Sequence, residues 1–120
     1  MPYNRGDIIE FYLELPYQES SKPHPFIVIS NEDVFEQDGM YICVMITHSQ
    51  HIDQFTFEID GDKMLTKGGD GKFSQVRCHL IANIKEEDIN ITGNRNKMKN
   101  KYVDRLVARI ELVSLSSLDT

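Results

Sequence analysis

Residues 22–31, KPHPFIVISN, join a polar loop that contains two prolines to a run of apolar residues. His24 stands between Pro23 and Pro25, where the fixed φ of proline and the extended bias of a residue before proline restrict its backbone. Polar loops held against a buried strand often carry function. The stretch therefore predicts a buried strand from Phe26, with a candidate functional histidine at its entrance.

The segments on either side predict further strands. Apolar and polar residues alternate over residues 6–15 and 55–59, a pattern typical of strands with one buried face. Residues 40–47 are mostly apolar on both faces, which predicts a more fully covered strand. Two connections separate these segments. One is the polar loop that leads to Pro23, and the other is a glycine-rich linker over residues 61–72.

A fifth strand, predicted over residues 72–81, brings polar side chains together. The period of two puts its apolar residues on one face and its polar residues side by side on the other. The apolar set is Val76, Cys78 and Leu80, and the polar set is Gln75, Arg77 and His79.

The end of the chain changes to a helical period, which predicts one amphipathic helix over residues 98–118. Residues 31–39 predict a connection with at most one helical turn, and residues 85–89 a short helix. We therefore expect a single domain over residues 1–120, mainly β with a C-terminal helix, in the form of a small, partly open SH3-like barrel.

Composition restricts the function. Two cysteines, Cys43 and Cys78, are too few for a disulfide framework and are expected in the core. No apolar segment reaches the length of a membrane span and the first residues do not form a signal peptide, so we expect a cytoplasmic protein without membrane contact.

The net charge of −6 argues against a general nucleic-acid coat protein. The charges are unevenly placed, however. Residues 1–60 carry 2 basic and 11 acidic side chains, whereas residues 61–120 carry 11 basic and 8 acidic ones. A local cationic surface is therefore expected in the second half, where Arg95 and Lys97 begin a basic cluster.

The order of the motifs RGDIIEFYLEL, HPFIVISN, YICVMITHS and VRC, followed by a final helix, resembles the PemK/MazF family over nearly the whole chain. These proteins are the toxins of bacterial type II toxin–antitoxin pairs. The resemblance implies a homodimeric SH3-like barrel that cleaves single-stranded RNA without a metal or other cofactor. It also implies a cognate antitoxin, whose C-terminal segment covers the RNA groove.

The resemblance extends to individual positions. Thr47 matches a threonine or serine at the end of the third strand, with Ser49 close behind it, and Arg77 matches a catalytic arginine in a VRC-type strand. Other positions differ from the family: His24 replaces an arginine, His79 an acidic residue, Ala82 an arginine and Gln18 a loop histidine.

Metal-free RNA cleavage needs a base for the 2′-hydroxyl, an acid for the departing 5′-oxygen and donors for the phosphate charge. Histidine titrates near neutral pH, so we predict His24 and His79 as the acid/base pair, which would leave 2′,3′-cyclic phosphate ends. Arg77 offers a bidentate phosphate fork, and Thr47 can donate a hydrogen bond to a phosphate oxygen. The residues predicted to bind RNA are Gln18, Lys22, Ser49, Gln75, Arg95 and Lys97.

Each of these residues also has a purely structural interpretation. Arg77 and His79 fit the solvated face of an outer strand, paired with Glu10 or Glu58, and His24 fits a loop residue packed on its neighbours. The basic cluster fits a solvated approach to the last helix.

Other functions remain open at the level of the whole protein. His48 and His51 have the spacing HxxH, but no third ligand lies nearby in sequence, so we predict no metal site. The main alternative to an enzyme is a catalytically inactive SH3-like barrel that binds nucleic acid or a protein partner. A third is a DNA-binding or antitoxin-pairing accessory protein without toxicity.

Overall fold

The computed structural model describes residues 3–12, 23–64, 75–90 and 96–117. In these ranges five antiparallel strands form one sheet in the order β1-β2-β3-β5-β4. The strands are β1 (Ile8–Phe11), β2 (His24–Val28), β3 (Met40–Thr47), β4 (Thr56–Glu58) and β5 (Gln75–Lys85). Helix α1 (Glu32–Asp38) joins β2 to β3, a 3₁₀ turn (Glu86–Asp88) follows β5, and helix α2 (Asn100–Ile110) continues into a π-helical segment (Glu111–Leu115).

An apolar cluster covers each face of the sheet. On one face the buried side of α2 packs against β1, β2, β3 and β5 through Val103, Leu106 and Ile110. The other face carries Phe26, Tyr41 and further strand residues, with the short helix α1 adding an aromatic ring. The predicted mainly β fold with a C-terminal helix is confirmed, and the described sheet remains open rather than closing on itself.

Strand β5 bends where it crosses β3. Ile46 pairs with Val76, but Val44 pairs with Ile81, so four residues of β5 lie between these pairs where β3 has one. An odd number of extra residues reverses which face a side chain occupies. Leu80 therefore packs in the cluster opposite to that of Val76 and Cys78, and the prediction that these three share a face is wrong.

Helix α1 is longer than the single turn predicted. Asn31 caps its start by accepting a hydrogen bond from Val34 N at 3.3 Å, and Gly39 ends it in a left-handed conformation with φ of +67°. Both residues are typical of helix termini. The cap pattern supports two turns where the acidic composition alone indicated a loop.

The remaining predicted elements are found close to their expected places. The short helix after β5 is confirmed as the turn Glu86–Asp88, and the last helix spans α2 and its π-helical extension. The end of the first predicted strand, most of the following loop and much of the glycine-rich linker lie outside the described residues. No helix in the described ranges has the length and apolar character needed to cross a membrane.

Candidate active site

Arg77 is at the centre of a polar cluster on β5. Its side chain is 14% exposed, and Nη1 and Nη2 donate to the two carboxylate oxygens of Asp53 at 2.9 and 2.8 Å. Nη1 also lies 2.9 Å from Gln75 Oε1 and 3.3 Å from the hydroxyl of Thr56, which pairs with Arg77 across β4 and β5. The guanidinium is thus held in one orientation by three side chains.

One edge of the Arg77 guanidinium has no hydrogen-bond partner among the described residues. Asp53 takes one hydrogen from each Nη atom, and the second Nη1 hydrogen points to Gln75 and Thr56. Nε–H and the second hydrogen of Nη2 take part in none of the hydrogen bonds among the described residues. Two parallel N–H groups of this kind match the oxygens of a phosphate.

Asp53 is the ion-pair partner of Arg77. The sequence suggested Glu10 or Glu58 for this place. Hydrogen bonds from Arg77 hold the pKa of Asp53 well below its usual range, against the opposing effect of desolvation. The N–H of Phe55, which donates to Oδ1 at 2.9 Å, and the nearby His51 act in the same direction as Arg77. Asp53 is therefore a carboxylate throughout the physiological range.

The Asp53 pair should make stability depend on pH in acid. Because the folded-state pKa of Asp53 is lowered, its contribution is present above the unfolded value of about 3.9 and is lost as the pH falls towards the lower folded value. We expect the free energy of unfolding of the wild type to exceed that of Asp53→Asn by a constant amount from about pH 8 to 5, and the difference to shrink below about pH 4.

Urea denaturation at a series of pH values measures this difference. Asp88→Asn removes one negative charge from an exposed position and controls for net charge. A difference between wild type and Asp53→Asn that stays constant down to about pH 2 would contradict the assignment.

Gln75 holds the loop that follows β3. It is 1% exposed, and its Nε2 donates to the carbonyl oxygens of Ser49 and His51 at 3.0 and 2.6 Å. Within the loop, Ser49 N donates to Thr47 Oγ1 at 3.2 Å and His51 N donates to Ser49 Oγ at 3.3 Å. The hydrogen bonds of these three predicted site residues, Thr47, Ser49 and Gln75, thus fix the backbone of residues 47–51.

His79 lies two residues beyond Arg77 on β5. Its exposed imidazole packs on the ring of Phe55 with 4.3 Å between the ring centroids. Burial and then the positive charge of Arg77 lower the pKa of His79, and the carboxylate of Asp53 opposes this only in part. The neutral imidazole is therefore favoured beside the Arg77 guanidinium.

His24 lies on the other side of β3. Pairing of Phe26 with Met45 puts the start of β2 next to the end of β3, and β3 separates β2 from β5. Strands two positions apart in a sheet are about 10 Å apart. The structure therefore does not bring His24 into contact with His79, and the buried Nε2 of His24 has no hydrogen-bond partner in the described part of the chain.

Of the remaining predicted RNA-binding residues, the structure describes Lys97 alone. The amine of Lys97 is 3.5 Å from a carboxylate oxygen of Asp7, next to the start of β1. Gln18, Lys22 and Arg95 lie outside the described residues. No three His, Cys, Asp or Glu side chains in the described ranges are grouped so that they could hold a metal ion.

A cavity of about 380 Å³ opens beside the loop after β3. It is lined by Ser49, Gln50, Ile52, Glu58, Ile59, Asp60 and Gln75. A second cavity of about 530 Å³, at the far end of β3, has the acidic residues Asp38, Glu86 and Glu87 in its wall. Lys85 also lines the second cavity, but carboxylates outnumber it there and repel phosphate. Both cavities are therefore less suited to a phosphate group than the Nε and Nη2 edge of Arg77.

Comparison with known proteins agrees with this architecture. A family model described as PemK-like, MazF-like toxin of type II toxin-antitoxin system matches residues 4–114. The chain belongs to this family. The resemblance seen in its motifs is thereby confirmed.

Two solved structures are similar to this PemK-like toxin. One is an endoribonuclease in complex with its cognate antitoxin from Mycobacterial species, with a TM-score of 0.65 and 12% identity, covering 92% of this chain and 93% of that chain. The other is an endoribonuclease from Mycobacterial species, with a TM-score of 0.65 and 11% identity, covering 92% and 89%. At this identity the likeness shows a shared fold. No curated protein matches the sequence.

Sequence reasoning missed the residues that organise the site of this PemK-like toxin. The sequence does not single out Asp53 or Thr56 as site residues. It points to His51 only through the HxxH spacing of a possible metal ligand. One signal was available: Asp53 precedes a predicted strand, and its side chain accepts from Phe55 N in a turn that aspartate favours. The pairing of Thr56 with Arg77 depends on a strand register that the sequence does not reveal.

Proposed function

We propose that this PemK-like toxin is an endoribonuclease that cleaves single-stranded RNA without a metal ion. The 2′-hydroxyl would attack the adjacent phosphate and leave a 2′,3′-cyclic phosphate and a 5′-hydroxyl end. The observation that carries the proposal is the Nε and Nη2 edge of Arg77, which makes no hydrogen bond within the described ranges, is held in place by Asp53 and has a largely neutral His79 beside it.

The roles follow from the chemistry of these groups. The Nε and Nη2 edge of Arg77 binds two phosphate oxygens and stabilises the charge that grows on them in the transition state. His79, neutral and exposed next to Arg77, accepts the proton of the 2′-hydroxyl. The phosphate therefore lies beside Arg77 on β5, near the loop of residues 47–51 that Gln75 holds.

The cellular setting belongs to the same proposal. The toxin acts in the cytoplasm, where messenger RNA is found, and a cognate antitoxin silences it by covering the site. A similar solved structure is a complex of an endoribonuclease with its antitoxin, which supports such a partner.

We also propose a homodimer. Two exposed apolar side chains on the π-helical segment, Leu112 and Leu115, offer surface for contact with a second chain.

The test is incubation of antitoxin-free protein with end-labelled single-stranded RNA in excess EDTA. The proposal expects discrete fragments that carry cyclic phosphate and 5′-hydroxyl ends. Absence of cleavage in a varied set of RNAs from about pH 5 to 9 would overturn it. RNA binding measured by fluorescence anisotropy in that case would favour the non-catalytic barrel.

A further inference from the structure

We infer that His51 is the second proton-transfer residue of this site and donates a proton to the departing 5′-oxygen. The inference rests on the proposed RNA cleavage and completes its acid/base pair. It puts His51 in place of His24 as the partner of His79 in the acid/base pair that the sequence predicted. Neither the family match nor the structural similarities assign a role to His51.

The geometry places two imidazoles around one ion pair. His51 Nε2 lies 3.5 Å from Asp53 Oδ2, the oxygen that also accepts from Arg77 Nη2. The ring of His79 packs on Phe55, whose backbone N–H donates to the same carboxylate. His51 and His79 thus both lie near the Arg77–Asp53 ion pair, whereas His24 is on the far side of β3.

The backbone of His51 is held while its side chain stays open. Its N–H donates to Ser49 Oγ at 3.3 Å, and its carbonyl accepts from Gln75 Nε2 at 2.6 Å and from the Thr56 hydroxyl at 3.5 Å. Its side chain is nevertheless 73% exposed. A fixed backbone that presents an exposed imidazole is the arrangement needed by a group that must meet a substrate.

Asp53 acts on His51 as a positioning residue. Its carboxylate lies next to Nε2, which leaves Nδ1 as the nitrogen that can exchange a proton with RNA. Nδ1 takes part in none of the hydrogen bonds among the described residues. A carboxylate that orients an imidazole is a recurrent device in acid/base catalysis.

The step balances without a further reactant. Neutral His79 takes the proton of the 2′-hydroxyl while the O2′–P bond forms, and the P–O5′ bond breaks as protonated His51 gives its proton to O5′. Arg77 stabilises the phosphate oxygens throughout. The products are a 2′,3′-cyclic phosphate and a 5′-hydroxyl, and proton exchange with water returns both histidines to their starting forms.

A substrate with sulfur in place of the bridging 5′-oxygen tests this role. A thiolate leaves without protonation, so such a substrate does not need a general acid. We expect His51→Ala to slow cleavage of ordinary RNA by about 10²–10⁴-fold and to cleave the sulfur substrate at close to the wild-type rate. His79→Ala, which lacks the base, should be slow on both substrates.

The controls separate a chemical role from a structural one. His48→Ala removes an exposed histidine from the same loop and should match the wild type on both substrates. Asp53→Asn keeps the shape of the side chain but loses the charge. It should cleave ordinary RNA more slowly than the wild type and recover part of the wild-type rate on the sulfur substrate. Thermal unfolding of each variant identifies any loss of fold.

The outcomes distinguish this inference from the proposed function. If the wild type cleaves RNA and His51→Ala cleaves ordinary RNA equally fast, the inference is overturned and the endoribonuclease stands. The same holds if a folded His51→Ala is slow on both substrates, because its defect then lies elsewhere than in leaving-group protonation. A wild type that cleaves no RNA would overturn the proposed function, and the role of His51 with it.

Discussion

Replacement of Arg77 by lysine should slow RNA cleavage by about 10²–10³-fold, the usual effect of removing a donor that stabilises transition-state charge. Lysine keeps the positive charge but has a single nitrogen on a flexible stem. It cannot bind both oxygens of Asp53 and also present two parallel N–H groups to a phosphate. The loss should fall on the rate of the chemical step more than on RNA affinity, because the charge on the phosphate grows in the transition state.

Single-turnover cleavage rates at saturating protein, together with RNA dissociation constants, measure the two effects separately. Arg105→Lys is the matched control, since Arg105 lies on α2 against the ring of Tyr102 and makes none of the site contacts described above. Arg105→Lys should unfold at a temperature close to that of the wild type, whereas Arg77→Lys should unfold at a lower temperature because it weakens the pair with Asp53. Cleavage rates are therefore compared well below both transitions. A folded Arg77→Lys that retains the wild-type rate would show that Arg77 serves only to anchor Asp53.

The elements of the fold were largely predictable because each has its own periodicity. Alternation in residues 6–11, the apolar run over residues 40–47 and the helical spacing after Met98 are local properties that survive packing. The face occupied by Leu80 was not predictable. It depends on three extra residues of β5 against β3, a register shift between two strands that are distant in the sequence.

The site was predictable only where its residues share one strand. Gln75 and Arg77 are two apart on β5, so their adjacency follows from the period of two, and the structure joins them at 2.9 Å. Asp53 reaches Arg77 only through the register of β4 on β5 and a turn before β4. Long-range pairing of this kind explains why the carboxylate and His51 were missed.

Gly6, in the RGD segment that helped to identify the family, is held in a conformation that other residues adopt only with strain. Its φ is +97°, its N–H donates to the carbonyl of Val28 at 2.7 Å, and its own carbonyl accepts from Met98 N at 3.0 Å. A Cβ added at Gly6 would lie 2.6 Å from the backbone oxygen of Met98. Gly6 thus joins the start of β1 to β2 and to the segment that leads into α2.

Gly6→Ala should therefore lower the free energy of unfolding by about 3 kcal/mol or more, because an overpacking cost of about 1–3 kcal/mol adds to the backbone strain. Gly39→Ala is the matched control: Gly39 also has a positive φ, of +67°, but nothing lies within 4 Å of an added Cβ. It should cost only the backbone strain of about 1–2 kcal/mol.

Urea denaturation of the two variants at neutral pH compares these costs, and their difference isolates the close approach to Met98. Equal destabilisation would show that the segment before α2 moves away freely, and that the contact between Gly6 and Met98 does not fix β1 against the helix. A larger loss in Gly6→Ala would mean that the glycine of the RGD segment is required by packing. The presence of Gly6 at the start of β1 would then have a structural cause that is separate from RNA cleavage.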